Sequence, residues 1–515
     1  MLATTVNRRD VLPVAALLLL GSIAFTHLMA LPAFEDEGSQ LRLIWRVIDA
    51  GEWLPPLSEG KPLETWLMVP LARLAPQPLA AIRALHVLCG MIGAVLTYWL
   101  ARQVTDRRAA FASGVVFAVC PFVVYLQRLA LSDIFLCTAG IWVLLSITRF
   151  VGSPTWRGAA VLSLALALAA LSKLPVGFVF LTSMPLALLL MPAHQRRILL
   201  HPPAAAKVLA AHGPVTLLAL VVLGVAITRV QRGQSPGFGL QDLMGIGMGR
   251  YRDIGAAIGV PRPSLAGELT AQLSWPVALI GLIGLGASAL LRDWRWRWLI
   301  AVGALPMLVI GLLADFWFSR YLLFTLPPLM IGAVSGWRSL ALRLGRFSQS
   351  IEFAVFAACL GFMGYQSARL VFDPAAARWS PTDRFQYFEG WGSGYGYPEA
   401  AEFLLKTPDA PRMIYSLDGH SAYQLRTYLP ATWNKRVQPV FYAENGEVLR
   451  RQEARLANLL GHTPVWIIAP RELLRGYLDS GFGDRNLGRI TLRRIATFDK
   501  PGLRAQLVIY EVTRR

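Results

Sequence analysis

Charged side chains are scarce in this chain. Asp, Glu, Lys and Arg make up 16% of its 515 residues, against about 25% in ordinary soluble domains. That scarcity excludes a disordered protein, a coiled coil and an ordinary cytosolic enzyme. Cysteine is scarce as well: Cys89, Cys120, Cys137 and Cys359 all lie in apolar stretches. They are too few for a disulfide framework and lack metal-ligand spacing, so they read as small buried hydrophobes. Internal repeats and low-complexity segments are also missing. What the sequence holds in quantity is apolar: 55% of residues are hydrophobic and the mean hydropathy is +0.47.

The charge that is present is unbalanced, with 50 Lys and Arg against 31 Asp and Glu and a formal net charge of +19. A basic protein invites a nucleic-acid reading, but the placement of the charge argues against one. Residues 1–370 hold 30 basic and 16 acidic residues, while 371–515 hold 20 and 15. Most of the excess therefore sits where long apolar runs dominate, and no nucleic-acid partner is expected.

A run of about 18 apolar residues is long enough to cross a bilayer as a helix. Such runs fall near 11–32, 80–101, 109–126, 130–148, 158–172, 174–191, 213–228, 271–291, 298–314, 321–336 and 351–369. The expected fold is thus a polytopic helical membrane protein with about eleven spans, the first retained rather than cleaved. An N-terminus in the cytoplasm gives every inner loop at least two Lys or Arg, as the positive-inside rule asks. An odd span count then puts 371–515 outside or in a periplasm. This tail alternates strand-like runs, Val465–Ala469 and Leu507–Val512, with helical stretches near 398–406 and 446–460. It reads as a small α/β domain following a membrane module of 1–370.

Sorted by side, the membrane module has 16 basic and 4 acidic residues inside, and 14 basic and 12 acidic outside. Outer loops are normally poor in Lys and Arg. Long loops carrying solvated pairs would explain the excess, and so would an anionic ligand. The first outer loop, 33–79, opens on Glu35, Asp36 and Glu37. Leu41, Ile44, Trp45 and Ile48 follow at helical spacing, predicting an amphipathic helix at the membrane interface. A second surface helix follows Lys61. The acids could be a plain helix cap. In company with Arg128 and Asp133 at an outer turn, Lys173 between two spans, and Arg320 and Tyr321 after Asp315, they outline a cleft with a carboxylate base and cationic phosphate partners. Ionisable residues at membrane depth are functional candidates by default.

In order along the chain stand Asp36-Glu37, Gly60-Lys61-Pro62-Leu63 with Trp66, Leu131-Ser132-Asp133, Leu171-Ser-Lys173 with Pro175 and Gly177, and Arg320-Tyr321-Leu-Leu with Pro327-Pro328. This set resembles the GT-C glycosyltransferases, closest to the bacterial dolichyl-phosphate-mannose-protein mannosyltransferase and aminoarabinose transferase type, over about residues 10–340. The stretch Trp391-Gly-Ser-Gly-Tyr395-Gly-Tyr-Pro similarly looks like the start of the outer domain in bacterial relatives. The resemblance implies transfer of a hexosyl or pentosyl group from a polyprenyl-phosphate donor to a lipid, glycan or protein acceptor at the outer face of the cytoplasmic membrane. It implies Asp36 as general base, inverting the anomeric centre, with Glu37 as substitute. Lys61 and Arg320 would hold the donor phosphate, backed by Arg128 and Lys173. Asp133 would orient a cation or a sugar hydroxyl, or simply cap its span. Tyr321 would stack at the site, or belong to the interfacial aromatic belt.

Relatives that carry Phe-Glu-Lys-Pro-Pro can take a divalent metal on the acid before the lysine. Here Glu59 is displaced by one residue, so metal dependence stays open, with Glu59 or Glu64 as candidate ligands. The glycine-rich loop of 230–270, with Arg250 and Arg252, suits either a lid or a plain connector. Membrane lipids are the expected surroundings and the monomer the expected state. Three rivals remain: a transporter or flippase of an anionic lipid, which would show broken spans at the midplane, a ligase-like transferase of a preassembled glycan, and a structural sensor with an outer binding domain, which would not need Asp36.

Overall fold

The computed structural model describes residues 8–232, 262–291, 293–313, 317–343, 348–390, 392–408, 413–416, 419–433, 435–439, 465–471, 490–501 and 506–514. Arg250, Arg252, Asp315 and the helical stretch near 446–460 lie outside the described residues. The chain forms two compact units. One comprises Met1–Leu28 and Ala50–Ser380, the other Met29–Asp49 and Pro381–Arg515. The first outer loop is therefore divided, its opening segment belonging with the C-terminal part of the chain.

The first unit is helical. The apolar runs named above form helical structure where they are described, but among the described residues only five helices are individually long and apolar enough to cross a membrane: Pro78–Ala101, Ser132–Gly152, Pro202–Gln231, Trp294–Leu312 and Gln349–Phe372. Leu265–Leu273 and Trp275–Ala289, bent by 111°, would make a sixth if taken as one span. The difference from an unbroken set of eleven has a local cause, because proline cannot continue the hydrogen-bond ladder and restricts the residue before it. Arg107–Val119 stops at Cys120, and Pro121 begins the short helix Pro121–Leu126. Trp156–Ser172 ends before Pro175, where the chain tightens into the 3₁₀ stretch Val176–Thr182. The 111° bend turns at Ser274, whose φ is 64°, with Pro276 following.

Ser132–Gly152 is buried on nearly every face. Pro202–Gln231 instead presents Leu209, Leu217, Leu220 and Val221 outward, as a lipid-facing helix does. Trp275–Ala289 and Leu326–Arg343 cross where Gly284 meets Gly336. A Cβ on Gly336 would lie 1.7 Å from the Gly284 carbonyl oxygen, so only glycine lets the two backbones touch.

Residues assigned to alternate loops sort to opposite ends of this unit. At one end Arg338 binds Asp106 (2.7 Å) and Glu352 (2.6 Å). Arg107 lies 3.6 Å from Asp10, Arg295 Nη1 donates to the Gln103 carbonyl, and Trp294 donates to Gln195. At the other end lie Asp133, Lys173, Arg128 and the Gly60–Lys61 turn.

The second unit holds a five-stranded sheet in the order β2-β1-β3-β5-β4. Its strands are β1 (Ile414–Ser416), β2 (Val437–Pro439), β3 (Val465–Pro470), β4 (Ile490–Asp499) and β5 (Gln506–Arg514). β1 pairs parallel with β2 and β3, while β5 pairs antiparallel with β3 and β4. All six residues of β3 are buried, which is why its sequence is an uninterrupted apolar run. Trp466, Ile468, Leu507 and Ile509 pack with Tyr397, Ala400 and Leu404 of helix Tyr397–Lys406 and with Ala422 and Leu425 of helix Gly419–Arg426.

Candidate functional site

In the first unit the residues singled out from three distant segments come together. Ser132–Gly152 carries Asp133 in its first turn, and Lys173 follows the last residue of Trp156–Ser172. Lys173 Nζ donates to Asp133 Oδ1 at 2.7 Å. The same ammonium stands 5.0 Å from the centroid of the Tyr321 ring, and the Arg320 guanidinium lies 5.4 Å from that centroid and 5.5 Å from that of Phe318. Two cations thus share one aromatic ring, an arrangement that holds charge in place at modest cost. Asp133 and Arg320 are buried and Lys173 is half-buried. Lys61 reaches the same neighbourhood through its backbone. The Gly60 carbonyl accepts from the Leu174 N–H at 2.7 Å, setting the Lys61 turn beside the Lys173 turn. Lys61 caps helix Pro62–Leu74, with Pro62 at its first position, the placement proline favours.

Arg128 has other employment. Its side chain is fully buried. Nη1 donates to the Leu370 carbonyl (3.0 Å) and Nη2 to those of Thr26 (3.2 Å) and His27 (2.6 Å). Burial, with Arg83 nearby, pushes its pKa down to about 10, so it keeps its charge at neutral pH. It ties the Thr26–His27 turn to the end of the helix Ser348–Phe372. Arg83, also fully buried, donates to the Leu28 carbonyl at 2.9 Å.

Glu64 is likewise committed. Its Oε1 is 2.9 Å from His86 Nε2, both side chains are sealed from solvent, and His86 Nδ1 is 2.8 Å from the Ile82 carbonyl. Glu59 is half-buried. Among the described residues no three His, Cys, Asp or Glu side chains converge as a metal site would require, and a carboxylate bonded to histidine is one ligand short of useful chelation. No step is therefore routed through a metal.

The first-loop acids belong to the second unit and begin helix Glu35–Ala50. Glu37, fully buried, accepts the Phe34 N–H at 2.9 Å. This is the back-bond of a capping box, in which the third helical residue satisfies the cap residue. Asp36, one position earlier, is half-buried. The two adjacent acids therefore differ: Glu37 is fully buried and bonded to the Phe34 N–H, and Asp36 is half-buried. Of the apolar stripe expected at the membrane interface, Leu41 and Ile44 are buried, as is Val47, while Trp45 and Ile48 are half-buried.

The glycines of the 391–396 stretch explain themselves here. A Cβ on Gly394 would lie 2.2 Å from the Ala33 carbonyl oxygen, and one on Gly392 would lie 2.5 Å from Glu35 Oε2. Only glycine allows this strand of chain to lie against the start of the Asp36 helix.

Three groups escaped the sequence reading. His86 could have been found, as a lone ionisable residue within an apolar span. Gln424 and Tyr428, which bond to Ala33, carried no signal, since their partners lie almost 400 residues away.

Residues 58–227 match the family model described as dolichyl-phosphate-mannose-protein mannosyltransferase. No curated protein sequence matches the chain. Among solved structures, ArnT from Cupriavidus metallidurans bound to undecaprenyl phosphate matches with a TM-score of 0.59 at 16% identity, covering 98% of this chain and 98% of that one. The Archaeoglobus fulgidus oligosaccharyltransferase in complex with Zn and sulfate matches at 0.56 and 12%, covering 96% and 74%. The arabinofuranosyltransferase AftD from Mycobacteria matches at 0.51 and 14%, covering 99% and 40%. At such identities the likeness is one of fold. The ordered motifs, the family-model match and these whole-chain superpositions agree: the chain has the fold of the GT-C glycosyltransferases.

Proposed function

We propose that this protein is a membrane glycosyltransferase that moves a sugar from a polyprenyl-phosphate donor to an acceptor hydroxyl at the outer face of the cytoplasmic membrane. The observation that carries the reading is the gathering of Lys173 and Arg320 around Tyr321, with Asp133 bonded to Lys173 and the Gly60–Lys61 turn tied to the chain just after Lys173. Fixed cations beside an aromatic face suit a leaving phosphate, because they stabilise charge that grows as the bond breaks. ArnT, a structural relative, is a protein seen with undecaprenyl phosphate, which supports that choice of donor.

In the proposed step the acceptor oxygen attacks the anomeric carbon opposite the phosphate. Its proton passes to the Asp36 carboxylate, the new C–O bond forms as the bond to the phosphate oxygen breaks, and polyprenyl phosphate leaves with the electron pair. The anomeric centre inverts. Asp133 holds the Lys173 ammonium in direction, and Tyr321 supports both cations. Topologically the reading keeps about eleven crossings, the N-terminus in the cytoplasm and the sheet-bearing unit outside.

The 111° bend at Ser274 is the kind of broken helix a lipid transporter also uses, so transport is the second reading. Purified full-length protein in nanodiscs, given labelled polyprenyl-phosphate sugars and a membrane-extract acceptor, separates the two. Label should move to acceptor, and Asp36→Asn should lower kcat by about 100-fold or more, the scale of a lost general base. Lys173→Ala should raise the donor KM. Lipid movement without transfer would establish transport instead, and wild-type turnover by Asp36→Asn would remove that residue from the mechanism.

A further inference from the structure

The backbone leading into the Asp36 helix is saturated by partners from elsewhere in the second unit. The Ala33 N–H donates to Tyr428 Oη at 2.5 Å, and the Ala33 carbonyl accepts from Gln424 Nε2 at 2.9 Å. The same Nε2 donates its second proton to the Gly392 carbonyl at 3.0 Å. That carbonyl also accepts the Glu35 N–H at 2.9 Å, while the Phe34 N–H goes to Glu37. Residues 33, 34 and 35 are thus each pinned by a different bond, and Asp36 is the next residue.

Gln424 is fully buried, and its Oε1 has no hydrogen-bond partner among the described residues. A buried acceptor left unsatisfied costs stability, and an apolar side chain would have avoided that cost. The observation asks what the retained amide nitrogen does. Its two protons bridge two carbonyls, one at the entrance to the Asp36 helix and one in the glycine stretch packed against it.

We infer that Gln424 and Tyr428 are positioning residues for Asp36, fixing the backbone at Ala33 and so the direction in which the carboxylate is presented. The inference rests on the proposed role of Asp36 as base. It gives the C-terminal part of the chain a part in turnover: this unit aims the base through two side chains that touch neither donor nor acceptor.

A double-mutant cycle on the full-length protein in nanodiscs tests this, with labelled polyprenyl-phosphate sugar as donor and a membrane extract as acceptor. Gln424→Glu keeps the shape and turns a donor facing two carbonyls into an acceptor. It should lower kcat by about 10- to 100-fold, the range that a misplacement near 1 Å produces, and leave the donor KM within about twofold. Tyr428→Phe removes only the hydroxyl and should lower kcat by about three- to tenfold, for the same reason. In the Asp36→Asn background either substitution should change the residual rate by less than about twofold, because residues acting through one group are not additive.

Multiplying losses in the double variants would mean general loosening and would overturn the inference. An inactive Asp36→Asn beside a Gln424→Glu and a Tyr428→Phe of wild-type kcat would overturn positioning alone. A fully active Asp36→Asn would overturn the base assignment and positioning with it. Should Gln424→Glu fail to fold, Tyr428→Phe carries the same cycle.

Discussion

The Glu64–His86 pair can be dismantled without leaving a hole, by Glu64→Leu, His86→Leu and the double replacement. The two side chains are 1% and 0% exposed, and their nearest atoms are 2.9 Å apart. The second imidazole nitrogen is already engaged at Ile82, so in Glu64→Leu the ring has no alternative partner for Nε2 and no access to water. Breaking one side of a buried ion pair costs about 3–5 kcal/mol, and stranding a neutral buried hydrogen-bonding group costs about 1–3 kcal/mol. Both ranges include about 3 kcal/mol, or roughly 150-fold in the unfolding constant at about 1.4 kcal/mol per tenfold. Each single variant should lose about that much, since leucine keeps the volume and limits the cavity term. The double variant strands no polar atom and should be more stable than either single variant. Denaturant unfolding in detergent micelles measures the three differences, and hydrogen exchange over residues 60–66 reports the local consequence. Loss of the pair frees the helix that Lys61 caps, so those amides should exchange faster in the singles than in the double. Losses that simply add in the double variant would refute the reasoning, because independent sites add and coupled ones do not.

Two further outcomes follow from the charges at the two ends of the helical unit. Arg128→Met removes donors to three carbonyls and should lower stability by about 3 kcal/mol or more, the cost of leaving buried acceptors unmet. Its donor KM should stay within about twofold, and a sharply raised KM would return Arg128 to the phosphate-binding set. Asp106 is pushed up by partial burial, but hydrogen bonds from Arg338, Ala109 and Arg108 outweigh this and leave its pKa below the ordinary aspartate value. A carboxylate so shifted stabilises the fold above about pH 4, its unfolded range, and loses that contribution as pH falls through the lower folded value. Asp106→Asn should therefore melt below wild type at about pH 7, and the gap should close in acid. A gap that widens on acidification would contradict the Arg338 pairing.

Much of the molecule follows from the order of its residues. Apolar run length fixes where helices form, since backbone polar groups in lipid must be satisfied within the segment. Alternating charge in the loops predicts two groups of residues, and the folded chain pairs within them, Asp106 with Arg338 and Asp133 with Lys173. Proline marks the breaks at Pro121 and Pro175, although counting apolar runs alone passes over them. The apolar runs of β3 and β5 are visible before any sheet is known.

Other features depend on contacts between residues far apart in the sequence, which composition and periodicity do not encode. Glu35, Asp36 and Glu37 are chemically alike as a string. Tertiary structure divides them, because the Phe34 N–H needs an acceptor and Glu37 stands at the position that reaches it. Arg128 and Lys173 look equally suited to phosphate until three backbone carbonyls claim the first and an aspartate and a tyrosine flank the second. The attachment of residues 29–49 to the C-terminal unit rests on bonds spanning almost 400 residues, made by Gln424 and Tyr428 to Ala33. The sequence by itself determines where the long apolar segments lie and which residue types stand between them. Only the folded chain decides which acid caps a helix, which cation is spent on carbonyls, and which is paired with a carboxylate beside an aromatic ring, because those choices depend on the partner that packing brings within about 3 Å.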